Sequence, residues 1–148
     1  MIRRISAMLL AVASLFGATV AMAAPAQAFG CTYNNVCLWS DADGNGYVRN
    51  DFNSRSSWSN IYYGGSSKPL YQGDGVADNV SSIDNWDPDT GVSVYYNSGY
   101  VGPCFMVMAN GEVSNMGWVT LSYGGKKAND NMNSHKFSYD CVGNSFDF

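Results

Sequence analysis

The sequence predicts an all-β domain, a sandwich of two Greek-key motifs with two disulfides, and three observations support this fold class. Good helix formers are scarce, because Leu38, Leu70 and Leu121 are the only leucines after residue 28. After residue 28, ten tyrosines, six phenylalanines and four tryptophans stand with β-branched residues between Gly- and Asn-rich turns, a pattern typical of strands. The chain also contains an internal repeat.

Strands are predicted where apolar and aromatic residues run between turn residues. In order they are Val36–Ser40, Gly46–Phe52, Val80–Trp86, Val92–Tyr96, Cys104–Met108, Trp118–Ser122 and Met132–Tyr139, with short pieces at Asn60–Tyr63 and Glu112–Met116. Asn110-Gly111 is the strongest hairpin prediction, because both residues accept a positive φ. Residues 53–78 form the longest weakly patterned stretch, which predicts a long loop.

The repeat divides the chain into two halves of similar design. The first half reads VCLWSDADGNGYV (Val36–Val48) and then ADNVSSIDNW (Ala77–Trp86). The second reads VSVYYNSGYVGPCFMV (Val92–Val107) and then NDNMNSHKF (Asn129–Phe137). We therefore expect one Greek key over about residues 31–90 and a second over about 91–148.

Residues 1–28 have the pattern of a secretory signal peptide. Arg3 and Arg4 precede an apolar run from Ala7 to Ala24, and small residues allow cleavage after Ala23 or, as we prefer, after Ala28. Cleavage after Ala28 leaves a single domain, residues 29–148. The sequence therefore predicts a secreted, extracellular protein.

The mature chain has six basic and twelve acidic residues, a net charge of −6. This acidity argues against nucleic acid as a partner, and no apolar run remains to span a membrane. We expect a monomer.

All four cysteines lie in the mature part, and an even count in an exported chain indicates two disulfides. Four cysteines allow three connectivities. We predict Cys31–Cys37 and Cys104–Cys141, because this pairing keeps each bond within one neighbourhood of the predicted fold.

The two halves together resemble a βγ-crystallin domain. Tyr95 or Tyr96, with Tyr100 and Gly102, fits its aromatic-x4-aromatic-x-Gly pattern in the second half. The pattern is blurred in the first half, where Trp39 precedes Gly44 and Gly46. More narrowly, the chain resembles the secreted bacterial peptidase inhibitors built on this fold, a family that includes the streptomycete metalloproteinase inhibitor. The resemblance implies an extracellular protease as partner, with metalloproteinases as one target class.

The resemblance also implies structural Ca²⁺. The family's signature of Asp/Asn, Asp/Asn, two free positions, Ser/Thr and Ser corresponds to residues 77–82 and 129–134. The resemblance would pair Asp130 with Ser81 in a first, better Ca²⁺ site. It would pair Asp78 with Asn133 in a second, weaker site, because the amide of Asn133 replaces the expected hydroxyl. The alternative is that these side chains only shape turns.

A rival Ca²⁺ prediction concerns Asp41–Phe52, whose acidic spacing resembles an EF-hand loop. Phe52 stands where a bidentate Glu is required, and no helix signal precedes the loop. A glycine-rich hairpin is the preferred interpretation.

For the inhibitor hypothesis, two loops are candidates for contact with a protease. Residues 102–106 place Pro103, Phe105 and Met106 beside a disulfide, and Tyr62–Tyr71 is the second candidate. We also consider a calcium-stabilised structural or stress protein, and a cell-wall glycan-binding module that uses the aromatic residues Trp58, Tyr62 and Tyr63.

Catalysis is not expected, because the chain has no HExxH, no G-x-S-x-G and no phosphate-binding loop. His135 is the only histidine and lies in a predicted strand. Asp84, Asp87 and Asp89 could suggest a carboxylate pair, but Asp-Pro-Asp between strands indicates a turn.

Overall fold

A computed structural model describes residues 30–121, 125–142 and 144–146. Strands and turns dominate these residues, and a 3₁₀ turn at Met116–Trp118 is the one helical segment among them. The strands are β1 (Val36–Asp41), β2 (Asn45–Asp51), β3 (Ser82–Asn85), β4 (Val92–Asn97), β5 (Val101–Val107), β6 (Glu112–Val113), β7 (Ser134–Phe137) and β8 (Asn144–Phe146). The all-β prediction is confirmed. The predicted signal peptide lies outside the described residues.

Two four-stranded sheets, with orders β2-β1-β3-β6 and β7-β4-β5-β8, form the sandwich. Each sheet receives backbone from the other half of the chain. Strand β6 of the second half pairs with β3 of the first through Val113 and Ile83. In return, Arg55 of the first half bridges His135 in β7. This exchange interlocks the two Greek keys, so neither half completes its sheet alone.

The core lies between the sheets and is filled by alternate residues of the central strands. Val36 and Leu38 of β1 face Val94 of β4 and Phe105 of β5, and all four are fully buried. Loop residues such as Trp58 complete the core. Each buried side chain of this size stabilises the fold by about 1.5–3 kcal/mol.

Each half begins with a hairpin that is folded over and held by one serine. In the first half, Ser82 Oγ donates to the Asp41 carbonyl (2.7 Å) and accepts from the Gly44 amide (3.2 Å). In the second half, Ser134 Oγ donates to the Asn97 carbonyl (2.6 Å) and accepts from the Tyr100 amide (3.3 Å). The last serine of each repeat segment therefore fixes the opposite end of its own Greek key.

A glycine in each hairpin permits this folding. Gly46 and Gly102 have φ values of 77° and 89°. A Cβ at Gly46 would lie 2.3 Å from Ser40 Oγ and Asp41 Oδ2, and one at Gly102 would lie 2.6 Å from Asn97 Nδ2. Both the backbone conformation and the close approach require glycine at these positions.

Some predicted elements differ from the structure. Residues 110–111 do form a turn, but the strands that flank it, β5 and β6, belong to different sheets, so the predicted hairpin is wrong. At the start of the predicted strand Trp118–Ser122, Trp118 belongs to the 3₁₀ turn, whose Gly117 amide is capped by Asn115 Oδ1. Ser122, at the end of that predicted strand, lies outside the described residues. Strand β8 was not predicted.

The Asp41–Phe52 segment belongs to the β1–β2 hairpin, which agrees with the glycine-rich hairpin preferred from the sequence. A strand precedes it where an EF-hand requires a helix, so the EF-hand interpretation is wrong.

Both predicted disulfides are present, and no described cysteine is free. Cys31–Cys37 ties the N-terminal segment to β1, and Cys104–Cys141 ties β5 to the segment after β7.

A buried histidine joins the two halves. The Trp58 Nε1 hydrogen is donated to His135 Nδ1 (2.9 Å), and His135 Nε2 donates to the Asn53 carbonyl (3.0 Å). The bond from Trp58 requires an unprotonated Nδ1, so the ring is neutral in this arrangement. Burial lowers the pKa of His135 to about 4, a shift that Asp51 opposes and the nearby arginines reinforce.

We expect stability to fall as the pH drops from about 6.5 to 4. In that window the unfolded chain binds a proton at His135 that the native state resists, which removes about 2 kcal/mol of unfolding free energy by pH 5. Urea unfolding at pH 7.5 and pH 5 measures the loss. His135→Asn keeps an acceptor for Trp58 and should flatten this dependence, and an unchanged slope in the variant would assign it to other groups.

Candidate functional site

The structure removes one of the two candidate protease-contact loops. Residues 102–106 lie within strand β5, where Phe105 pairs with Val94 of β4 on one side and with β8 on the other. Phe105 is fully buried, so the prediction that it contacts a protease is wrong. Pro103 and Met106 are half-buried on the same strand. Because β4 pairs with this segment and β8 also pairs with Phe105 and Met106, the segment lacks the free backbone that an inhibitory loop presents at those two residues.

The second candidate, Tyr62–Tyr71, is a narrow, internally bonded loop. A bridge pairs Tyr62 with Pro69. The Tyr63 amide donates to the Lys68 carbonyl (3.1 Å), and the Leu70 amide donates to the Ile61 carbonyl (2.7 Å). The tip at residues 64–67 is largely exposed. The loop is therefore a short ribbon with both arms tied together.

Contacts with the rest of the domain fix this ribbon in place. The Gly64 amide donates to the Val48 carbonyl of β2 (2.8 Å), and Lys68 forms an ion pair with Asp78 (2.7 Å). Leu70 is fully buried and anchors one arm in the core. Two strongly attached arms with an exposed tip give the loop little freedom to lose on binding.

Of the three aromatic residues proposed for glycan binding, two are unavailable. Trp58 is fully buried and Tyr63 is 1% exposed, so the glycan prediction is wrong for both. Tyr62 is 47% exposed on the loop. Burial, reinforced by the charges of nearby aspartates, raises the pKa of Tyr63 far above its ordinary value, so its hydroxyl stays protonated.

The structure brings Asp130 and Ser81 together, as the first Ca²⁺ pair requires. Ser81 Oγ lies 3.4 Å from Asp130 Oδ1, across the boundary between the halves. Burial, with the charges of Asp78 and Asp41, raises the pKa of Asp130. These carboxylates form an acidic neighbourhood that a cation would neutralise.

The residues of the second pair have other partners. Asp78 forms the ion pair with Lys68. Asn133 Oδ1 accepts from the Trp58 amide (3.0 Å) and from the hydroxyls of Ser57 and Ser59. These bonds already use one carboxylate oxygen of Asp78 and the amide oxygen of Asn133.

The aspartates that follow Trp86 form a turn, as the sequence predicts. Asp87 Oδ1 accepts from the amides of Asp89 (2.9 Å) and Thr90 (2.8 Å). His135 is buried and hydrogen-bonded on both ring nitrogens, so it is not presented to a substrate.

The described ranges lack both a cluster of metal-binding side chains and a membrane-spanning helix. They contain no group of three or more His, Cys, Asp or Glu side chains placed to hold a metal ion. Nor do they contain a helix with the length and apolar character to cross a bilayer.

Sequence reasoning did not assign the roles of Ser82 and Ser134. Both appear in the repeat, but only the structure shows that they hold the folded hairpins. The one sequence feature that could have indicated this role is that each serine ends its repeat segment.

Two solved structures are similar to the chain. A beta gamma crystallin from Ciona intestinalis is 24% identical, with a TM-score of 0.47 over 70% of this chain and 99% of that one. A chain solved in work on the "Evolution of the eye lens beta-gamma-crystallin domain fold" is 16% identical, with a TM-score of 0.54 over 72% of this chain and 88% of that one. The latter similarity supports a βγ-crystallin fold.

At the level of sequence, no curated protein matches the chain. The model of peptidase inhibitor family I36 matches residues 24–107, which is more than half of the chain and includes the Tyr62–Tyr71 loop. The chain therefore belongs to peptidase inhibitor family I36.

Proposed function

We propose that the protein is a secreted inhibitor of extracellular peptidases and that the Tyr62–Tyr71 loop occupies the peptidase cleft. The observation that carries the proposal is a loop with an exposed tip whose arms are bonded to each other and to the domain. Membership of an inhibitor family supports the activity. The protein acts as a binding partner and not as a catalyst.

Rigidity is the physical requirement for such an inhibitor. A flexible loop loses conformational entropy on entering the cleft, about 0.5–1.5 kcal/mol for each immobilised side chain. Pro69 restricts φ in one arm, and buried Leu70 restrains its end. The exposed ring of Tyr62, next to buried Tyr63, supplies a large side chain for a peptidase pocket.

Metalloproteinases are the first target class to test, because the resemblance found in the sequence points to them. The experiment is a panel of secreted metallo- and serine peptidases titrated with the mature, oxidised protein. We expect inhibition of a metalloproteinase at nanomolar concentration. Inertness against the whole panel, together with a large rise in melting temperature on adding Ca²⁺, would favour a calcium-stabilised structural protein instead.

We also propose one structural Ca²⁺ site at Asp130 and Ser81. Their side chains meet across the two halves, and carboxylate and hydroxyl oxygens are ligands that Ca²⁺ accepts. Backbone carbonyls would complete the set, since the described residues offer no three-acid cluster. Bound Ca²⁺ would tie the two Greek keys together.

Ca²⁺ should raise the melting temperature through this one dominant site. A site saturated a hundredfold adds about 2.7 kcal/mol of stability. We expect Asp130→Asn to remove most of the rise and Asp78→Asn to remove less. Asparagine tolerates the positive φ of 60° at residue 130 and 68° at residue 78, so the substitutions test charge and not backbone strain.

Calorimetric titration of the wild type and both variants measures the effect. No binding at millimolar Ca²⁺ would leave both segments as turns. A greater loss from Asp78→Asn would reverse the ranking of the two sites.

A further inference from the structure

A groove runs around edge strand β6, with an apolar end and an acidic end. The apolar end is a cavity of about 270 Å³ lined by Val113, Trp118, Val119 and Phe146, among others. The acidic end, about 250 Å³, is lined by Asp43, Asp84 and Glu112, among others. Glu112 and Ser114 border both cavities, so the two ends adjoin each other at β6. We call the whole feature the β6 groove.

Trp118 gives the apolar end an unusual character. It follows the 3₁₀ cap at Asn115 and is 75% exposed, whereas neighbouring Met116 and Val119 are buried. A tryptophan held at the rim of an apolar cavity is the kind of residue that dominates the binding energy of protein interfaces. The cavity is large enough for one or two apolar side chains.

The fold compensates the carboxylates of the acidic end only in part, through a hydrogen bond that Trp39 Nε1 donates to Asp84 Oδ2 (3.0 Å). Asp84 and Glu112 are direct cross-strand partners of β3 and β6, and like charges opposite each other are destabilising. Burial and, less strongly, the charge of Glu112 raise the pKa of Asp84, and the hydrogen bond from Trp39 opposes this rise. No ion pair formed among the described residues includes Asp43, Asp84 or Glu112. A cationic group from a partner would relieve this repulsion.

We propose that the β6 groove docks a basic peptide segment of a partner protein, in which a large apolar side chain lies next to lysine or arginine. The apolar side chain would pack against Trp118, and the cation would lie between Asp84 and Glu112. Charge selects this occupant over a second copy of the chain, whose twelve acidic residues outnumber its eight basic ones. The groove shares no residue with the Tyr62–Tyr71 loop, so this binding goes beyond peptidase inhibition.

The test is a calorimetric titration with the peptide acetyl-Lys-Leu-Lys-Leu-Lys-amide. We expect binding that weakens as salt is added, because exposed charges are screened. Replacing each lysine by glutamate, or each leucine by serine, should abolish it. Trp118→Ala and Glu112→Gln should each weaken it, the former by about tenfold.

Matched control variants distinguish specific docking in the β6 groove from nonspecific binding of the peptide. Trp86→Ala removes another half-exposed tryptophan and Asp89→Asn another exposed carboxylate, and neither should change the affinity. Trp118→Ala should also retain peptidase inhibition, and its loss would contradict a separate surface.

Three results would overturn the proposal: equal binding of the glutamate peptide, binding unaffected by Trp118→Ala and Glu112→Gln, or no binding at millimolar peptide. Analytical ultracentrifugation tests the other possible occupant, a second copy of the chain. A dimer that Trp118→Ala dissociates would assign the groove to a second copy of the chain.

Discussion

Removing the Cys104–Cys141 disulfide is expected to lower the free energy of unfolding by about 4 kcal/mol, against about 2 kcal/mol for Cys31–Cys37. The two bonds span 37 and 6 residues, and the longer loop restricts the unfolded chain more. The longer bond also ties β5, a central strand, to a segment that follows β7. The whole stability of a domain is only about 5–15 kcal/mol, so this loss would leave it marginal.

Paired Cys→Ser variants in urea unfolding measure the two costs. Each variant removes both cysteines of one bond, so no free thiol remains to form a wrong disulfide. An equal or larger loss from the Cys31–Cys37 pair would show that packing of the N-terminal segment, and not loop closure, controls the effect.

The second large effect is expected at Tyr62. If this ring fills a peptidase pocket, Tyr62→Ala should raise the inhibition constant by about thirtyfold, because interface residues of this type contribute 2 kcal/mol or more. Pro69→Ala should raise it by a smaller factor, since it loosens one arm without removing a contact. Steady-state inhibition of the most sensitive peptidase in the panel provides both values.

Tyr33→Ala is the matched control, because Tyr33 is also strongly exposed but lies outside the loop. It should leave the inhibition constant unchanged. An equal effect of Tyr33→Ala and Tyr62→Ala would contradict the assignment of the loop.

The local pattern of the sequence predicts the central strands well. Strands β1, β2 and β4 lie within one residue of their predicted bounds, because apolar residues between glycine-rich turns leave little choice. Strand β8 has only three residues and no pattern of its own. Asn110-Gly111 can form a turn both within a hairpin and between two sheets. The sequence therefore does not reveal that the strands beside this turn belong to different sheets.

The candidate site shows the same division between local and tertiary information. The pairing of Asp130 with Ser81 was implied by the family resemblance, and the structure places the two side chains in contact. The sequence predicted a strand at Cys104–Met108, and β5 confirms it. The error at Phe105 arose because a proline and a disulfide suggested that the same residues were presented to a protease, while β4 and β8 pair with Phe105. The β6 groove could not be predicted, because it combines residues from the β1–β2 hairpin, β3, β6 and β8.

Amide hydrogen exchange of the protein, free and bound to an inhibited peptidase, tests the central claim most directly. Binding through the Tyr62–Tyr71 loop predicts slower exchange at the loop tip, residues 64–67, and no change in strand β5 at Phe105 and Met106. Slower exchange elsewhere on the surface, with the loop tip unchanged, would contradict the account.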